Sequence, residues 1–581
     1  MSKDNKVFLI GSLLFGGSFL FSLFFINEGL FHFDSVILAK AVEDMYRTGH
    51  LQAAVSGRFG AVIINAILYL PFYLFGQNAD FLTRFSSVLF YSLSIPVFFI
   101  FINDLFKDRI QGLFAAILLA VTPFYLVPNT YGKEHGMSMF FFLCSMVLVN
   151  KGREEKRPIT LALASLCFMI ALSVRESMLF MLPFYFWLYF RPAIGFGPLR
   201  FDVPQERLNG RCLSFLILPI VILFGFLMFF YLGMVIQNSL STDESFVPHF
   251  CGFFSKNLIR AVMDAGNSFP GYFLFFAILG AGIIWQERRY FLLVFFLIWS
   301  CLILVYGNFD GYVPRHLDAV VLAEHAFVSY FLAWVYRRFR FWAILVFIFL
   351  ITSQLINLYP MLEFRRHYDG TLRLASFART NTPANAVFLT EDEAPFIEYY
   401  GKRKTISFPV GHWEDSERVF KEIGNLIDRQ IPVYVIPSSY VLYGGTIPKD
   451  KFFEEGPQGR DILAQLIQTK VLRDFSSTQV SFQLNNDLKT KAIRKISKGD
   501  WGKISTIFEQ AEGQFDRDLL DRFKVSLVGE VLFEDYHRAE LNLNLYIKPI
   551  YKFEYGRNRS GRRVSYSQRL HADELVKRIP L

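Results

Sequence analysis

The sequence has little from which to build a disulfide framework or a zinc site. Its five cysteines, Cys144, Cys167, Cys212, Cys251 and Cys301, form no CxxC pair, and none stands beside a histidine at metal-ligand spacing. It has no tandem repeat and no low-complexity segment, which sets aside solenoids, fibres and disordered arrays. Charge is scarce inside its apolar runs, and that scarcity excludes a wholly soluble protein. The first run, Val7 to Ile26, lacks a small-residue cleavage site before Asn27, so it is expected to remain as an uncleaved first span.

What is present is apolar side chain in excess of what one soluble core can bury. The 581 residues are 53% hydrophobic and include 68 phenylalanines. The formal net charge of +9 does not imply a polynucleotide partner, because much of the basic excess lies in short connectors between apolar runs, where membrane topology accounts for it.

After the first run, apolar segments follow at about Ala61 to Phe75, Phe81 to Ile102, Ile110 to Val127, Met137 to Val149, Ile159 to Val174 and Met178 to Phe190. They continue at Leu213 to Val235, Tyr272 to Ile284, Phe291 to Tyr306, Leu317 to Val335 and Phe341 to Leu358. Alternate connectors are basic: Lys107/Arg109, Lys151 to Arg157, Arg191 to Arg211, Arg288/Arg289 and Arg337 to Arg340. The positive-inside rule makes these cytoplasmic. The run from Ala61 to Phe75 would break the alternation if it crossed; it is short, contains Pro71, and is expected as a re-entrant or interfacial helix on the outer face. About eleven spans remain, with the N-terminus inside and everything after Leu358 outside.

From about Glu363 the composition becomes that of a soluble domain. Ala386 to Thr390 and Val433 to Ile436 read as buried strands with a helix up to Tyr400 between them, an α/β start; Lys524 to Phe533 and Leu541 to Phe553 alternate like antiparallel strands. The expected architecture is an α-helical polytopic membrane domain, residues 1–360, followed by an extracytoplasmic α/β or α+β domain, residues 361–581.

Ionisable residues collect in the outer connectors. The first carries Phe33-Asp34-Ser35 ahead of an amphipathic stretch that ends at Thr48-Gly49. Asp34 is either a carboxylate for work at the lipid interface or the N-cap of that helix, and on local grounds the cap is favoured. The second concentrates Lys133, Glu134 and His135, where a carboxylate and a donor near a phosphate compete with a solvated loop tip. Arg175-Glu176 is expected to be an ion pair at the outer edge. Arg84 fits either snorkelling or phosphate binding. The fifth outer connector carries Asp310, then Pro314-Arg315-His316, and an arginine after a proline at a membrane edge suits bidentate phosphate capture.

In order, these features resemble the GT-C glycosyltransferase superfamily over roughly the first 360 residues, within it the branch of protein O-mannosyltransferases and lipid A aminoarabinose transferases. The matching pieces are Phe33-Asp34-Ser35, Arg47-Thr48-Gly49-His50, Leu74-Phe75-Gly76, Arg84-Phe-Ser-Ser87, Leu105-Phe-Lys-Asp-Arg109 and Thr122-Pro123. The family's second acidic residue falls at His135, with Glu134 one position earlier; its Pro-Arg-Tyr is Pro314-Arg315-His316, and Arg58-Phe-Gly60 stands where a tandem-proline motif is often found.

The resemblance implies inverting transfer of a hexosyl or pentosyl group from a polyprenyl or dolichyl monophosphate to a lipid, glycan or protein acceptor at the outer face of the cell membrane. It makes Asp34 the general base, with Glu134 as second carboxylate. It directs Arg315 first, then Arg58 and Arg84, then Lys133 and Arg175, to the donor phosphate, with His135, His316 and Asp310 as further site candidates. Two carboxylates from separate loops leave Mg²⁺ or Mn²⁺ open as a cofactor. The competing classes are a transporter or flippase, and a non-catalytic component of envelope polysaccharide assembly. Oligosaccharyltransferases are of the same superfamily, but their Trp-Trp-Asp signature is absent.

Overall fold

A computed structural model describes residues 3–50, 58–190, 271–306, 317–367, 370–390, 393–407, 416–436, 444–446, 481–483, 523–534 and 545–557. The chain divides into two units, Met1–Arg366 and His367–Leu581. The first is a helical membrane domain and the second a soluble α/β domain.

In the first unit, α1 (Lys3–Phe24), α4 (Ala79–Phe106), α7 (His135–Glu155) and α8 (Pro158–Val174) pack side by side in the order α1, α4, α7, α8. Residues Asn5–Phe24, Ala79–Phe106 and Asp318–Arg338 are each long and apolar enough to cross a bilayer. Between α1 and α4 lie α2 (Phe33–Thr48) and α3 (Phe59–Leu74). One face of α3 is buried through Gly60, Ala61, Val62, Asn65, Ala66 and Tyr69, while Ile67, Leu70 and Leu74 on the other are exposed. A helix so divided suits an interface, with its apolar side turned to lipid.

The run from Ile110 to Val127 is not one continuous span. It forms α5 (Arg109–Ala120) and α6 (Pro123–Thr130), bent by 51° at the junction. Pro123 supplies the cause: it opens α6 at a position that needs no N–H donor and steers Thr122 out of helical geometry. Thr122 Oγ1 turns back to the Leu118 carbonyl. Likewise Met178 to Phe190 divides into a 3₁₀ segment, Glu176–Met181, and α9 (Leu182–Phe190). Apart from a short helical turn at Ile303–Tyr306, the remaining described helices of this unit are α10 (Gly271–Gln286), α11 (Tyr290–Ser300), α12 (Asp318–Arg338) and α13 (Arg340–His367). The run from Leu213 to Val235 lies outside the described residues.

At two expected cytoplasmic turns the chain stops a helix with a lysine in the left-handed region, Lys107 after α4 and Lys156 after α7. A cation there lies at the negative end of the helix dipole. α12 is held to its neighbours by polar contacts unusual for a span: Trp299 Nε1 donates to the Ala319 carbonyl, and His325 Nε2 lies 2.8 Å from Thr122 Oγ1 at the α5/α6 break. Gly280 lets α10 approach closely, since a Cβ there would stand 2.1 Å from the Phe327 carbonyl oxygen.

The second unit holds a mixed five-stranded sheet in the order β2-β1-β3-β7-β6. The parallel part comprises β1 (Val387–Thr390), β2 (Lys404–Ser407) and β3 (Val433–Val435); β6 (Phe523–Glu534) and β7 (Leu545–Arg557) continue it antiparallel. Alternate residues go to opposite faces, as a strand requires. Leu389, Val433 and Val435 pack on Val419, Phe420, Ile423 and Ile427 of α16 (Ser416–Asp428). Phe388 and Tyr434 meet Leu374 and Ala378 of α14 (Gly370–Asn381) on the other face. α15 (Ala394–Tyr399) connects β1 to β2, and a separate ribbon pairs β4 (Gly444–Thr446) with β5 (Ser481–Gln483).

Candidate active site

The connector after α1 enters α2 through His32, not Asp34. His32 is the N-cap, and its Nδ1 accepts the Asp34 amide at 3.0 Å. Asp34 therefore stands in the first turn with its carboxylate committed elsewhere, which corrects the N-cap expectation. At the other end the Thr48-Gly49 pair ends the helix for a physical reason: Gly49 adopts φ +71°, and its amide donates to the Met45 carbonyl.

The connector between α6 and α7 turns tightly. Gly132 has φ +91°, and a Cβ on it would meet Leu30 Cδ2 at 2.8 Å. Asn129 Oδ1 accepts from the Gly136 amide at 2.8 Å, while Ser87 Oγ contacts both Asn129 Oδ1 and the Lys133 carbonyl. Ser87 of the Arg-x-x-Ser element thus pins this loop. Arg84 of the same element binds Asp80 at 2.5 Å and the Asn27 carbonyl. Of the two uses open to it, the structure displays this internal bracing.

The pinned loop delivers two side chains into one cluster. Lys133 Nζ, 1% exposed, forms an ion pair and hydrogen bond with Asp34 Oδ2, and Asp34 is itself 8% exposed. Arg58, just before α3, places Nη1 2.7 Å from Glu134 Oε1 and 3.6 Å from Asp34 Oδ2. Its Nε and Nη2 also donate to Glu176, at 3.2 and 3.1 Å. Glu176 therefore pairs with Arg58, and the expected Arg175–Glu176 pair is replaced by this longer link. Arg175 is 4% exposed, and its Nε and Nη1 have no hydrogen-bond partner among the described residues. A buried guanidinium in that condition keeps hydrogen-bonding capacity that the described residues do not use.

Burial alone would raise the Glu134 carboxyl, but Arg58 first, then Lys133 and Arg175, outweigh it and hold it below its usual value. Burial opposes the charge of Glu176 in the same way, and Arg58 again wins. The three carboxylates hold Arg58 firmly protonated despite its burial. The next residue, His135, sets its Nδ1 2.8 Å from Asp318 Oδ2 at the start of α12.

Asp34, Arg58, Lys133, Glu134 and Glu176 are thus brought together from four chain segments, and Arg175 adjoins them electrostatically. Arg315, His316 and Asp310 lie outside the described residues. Two members escaped the sequence reading: Glu176 as a partner of Arg58, and Asp318. For Asp318 a signal existed, an acidic residue opening an apolar run directly after the Pro314-Arg315-His316 element. The carboxylates offered to Mg²⁺ or Mn²⁺ are each engaged by a cation, and among the described residues no group of three or more His, Cys, Asp or Glu could hold a metal ion. Among the described residues the donor set does not fit a metal.

These features belong to a protein with three described helices long and apolar enough to cross a membrane, and its fold is shared with a solved structure. The chain superposes on ArnT from Cupriavidus metallidurans in the apo state with a TM-score of 0.52 and 10% identity, over 77% of this chain and 97% of that one. Also similar are the same protein bound to undecaprenyl phosphate (TM-score 0.49, 10% identity, 75% and 93% covered) and the Archaeoglobus fulgidus oligosaccharyltransferase in complex with Zn and sulfate (0.49, 14%, 74% and 71%). No protein-family model matches the chain, and no curated protein matches its sequence.

Proposed function

We propose that the protein is a glycosyltransferase that moves a sugar, with inversion, from a polyprenyl or dolichyl monophosphate to an acceptor at the outer membrane face. The observation that carries this reading is the buried cluster in which Lys133 and Arg58 rest on Asp34 and Glu134 while Arg175 keeps two guanidinium nitrogens without a partner. A fixed set of cations beside a carboxylate is what phosphate departure coupled to proton removal requires. The GT-C fold supports it.

In the reaction so read, the acceptor hydroxyl or amine attacks the anomeric carbon as Asp34 takes its proton. The bond from that carbon to the phosphate oxygen breaks on the opposite face, and its electron pair leaves with the lipid phosphate. Arg175 receives the phosphate first, because it gives up no existing hydrogen bond at Nε and Nη1. Lys133 then exchanges Asp34 for the phosphate, which restores Asp34 as a base. The resting cluster balances three carboxylates, Asp34, Glu134 and Glu176, against Lys133, Arg58 and Arg175, so donor entry and release of Asp34 are coupled. Arg315 is assigned to the same phosphate by the family resemblance.

Purified protein in proteoliposomes is expected to transfer radiolabel from a polyprenyl-phosphate sugar to an added acceptor extract, with one lipid phosphate formed per sugar moved. Movement of the intact labelled lipid across the bilayer without transfer would instead identify a flippase. The soluble unit is assigned to the extracytoplasmic side, because the basic turn Arg337 to Arg340 is followed by one last apolar helix. An alkaline phosphatase fused after Leu581 should be active, and a cytoplasmic reporter silent; the reverse result would move the cluster to the wrong face.

A further inference from the structure

The pair formed by His135 and Asp318 has no part in the steps above, although both residues are at most 3% exposed. Asp318 Oδ2 faces His135 Nδ1 at 2.8 Å, and Oδ1 accepts the Ala319 amide at 2.8 Å. It stands in the first turn of α12, where the helix dipole favours an ionised carboxylate. Such a carboxylate against one ring nitrogen favours the imidazolium form.

The imidazole is held as firmly on its own side. His135 opens α7 directly after Lys133 and Glu134, the residues that engage Asp34 and Arg58. Gly136 allows no slack: its amide is bound by Asn129, and a Cβ there would come within 2.7 Å of the Tyr91 backbone nitrogen. The ring is therefore held on a fixed backbone two residues along the chain from Lys133.

We propose that Asp318 is a positioning residue for the transfer site: it fixes His135 through Nδ1 and keeps it charged beside Lys133, so that the pair admits the donor phosphate when protonated and repels it when not. The inference rests on the glycosyltransferase reading. Protonation takes the pair from one net negative charge to none, and the neighbouring cluster, already balanced, has no surplus positive charge to mask that change. With Nδ1 committed to Asp318, any hydrogen bond His135 makes to a ligand goes through Nε2. Among the described residues, the titratable groups nearest the pair are Lys133 and Glu134, which directly precede His135, and Tyr125 from α6, which feels the Asp318 charge. The tyrosine does not change charge near neutrality.

The test is binding of a polyprenyl monophosphate carrying no sugar to the full-length protein in nanodiscs, from pH 6 to 8.5. Wild-type affinity is expected to fall about tenfold across that range, the order of effect of one unit charge on another in a partly buried site. His135→Gln should flatten the profile. Asp318→Asn, which still accepts from Nδ1–H but has lost its charge, should shift the fall to lower pH, and Asp318→Glu should keep the wild-type shape. The second ionisation of the phosphate itself acts alike in every variant, so differences between profiles isolate the pair. An Asp318→Asn profile that is uniformly weaker but unchanged in shape would mean a merely structural residue and overturn the inference. Should Asp318→Asn fail to fold, a His135→Gln profile parallel to wild type overturns it equally. Absence of binding by the wild-type protein at every pH overturns the functional reading, and this inference with it.

Discussion

Asp34→Asn is expected to reduce sugar transfer by about 10²- to 10⁴-fold, the usual cost of removing a general base. The geometry dictates how that loss must be measured. Because the Asp34 carboxylate bears the buried Lys133 ammonium, the amide leaves a cation without its counterion, which destabilises by about 3–5 kcal/mol when the site is dry. A fall in activity could then reflect a fall in folded protein. The comparison that isolates chemistry sets Asp34→Asn/Lys133→Met against Lys133→Met alone. Both lack the ammonium and bind donor equally poorly, and the double variant leaves no unpaired ammonium, so it should recover thermal stability. If Asp34 is the base, turnover per folded molecule at saturating donor is at least about 10²-fold lower in the double variant. Equal turnover in the two would remove Asp34 from the base role and hand it to Glu134.

The same residue illustrates what the sequence made legible and what it did not. An acidic residue ahead of an amphipathic stretch drew attention to Asp34, and Thr48-Gly49 marked the helix end because the left-handed C-cap needs glycine there. The cap itself was misread, since a histidine accepting through Nδ1 is not among the side chains that ordinarily announce an N-terminus. Hydropathy located α4, α7, α8 and α12 to within a few residues but ran α5 and α6 together, because a window average does not register the break at Pro123. Pairings across long sequence distances were the least visible. Arg175 and Glu176, adjacent in the chain, looked like partners; Arg58, 118 residues from Glu176, takes the carboxylate instead. Short apolar runs, by contrast, placed β1 and β3, which are buried on both faces, and alternation placed β6 and β7, because both patterns are local properties.

Arg58→Met is expected to destabilise the membrane unit by about 3–5 kcal/mol, since it strips the nearest cation from Glu134, a carboxylate only 4% exposed. Thermal unfolding in nanodiscs should show it as a lowered midpoint, largely restored in Arg58→Met/Glu134→Gln, where a neutral amide no longer needs a partner. Acid supplies a second check. Burial pushes the Glu134 carboxyl up, but Arg58, Lys133 and Arg175 together hold it below its ordinary value. A group depressed on folding stabilises above its unfolded value of about 4.3 and loses that contribution as pH falls through the folded value. Wild-type protein should therefore lose stability in acid below about pH 4. With Arg58 gone the strongest downward pull is gone, burial counts for more, and protonating Glu134 costs less, so the acid-side loss should be smaller in Arg58→Met than in wild type. An unchanged midpoint at neutral pH together with an unchanged acid limb would mean that Glu134 is satisfied by Lys133 and Arg175 alone. Arg58 would then be a cation held for the donor phosphate, and not the brace of the cluster.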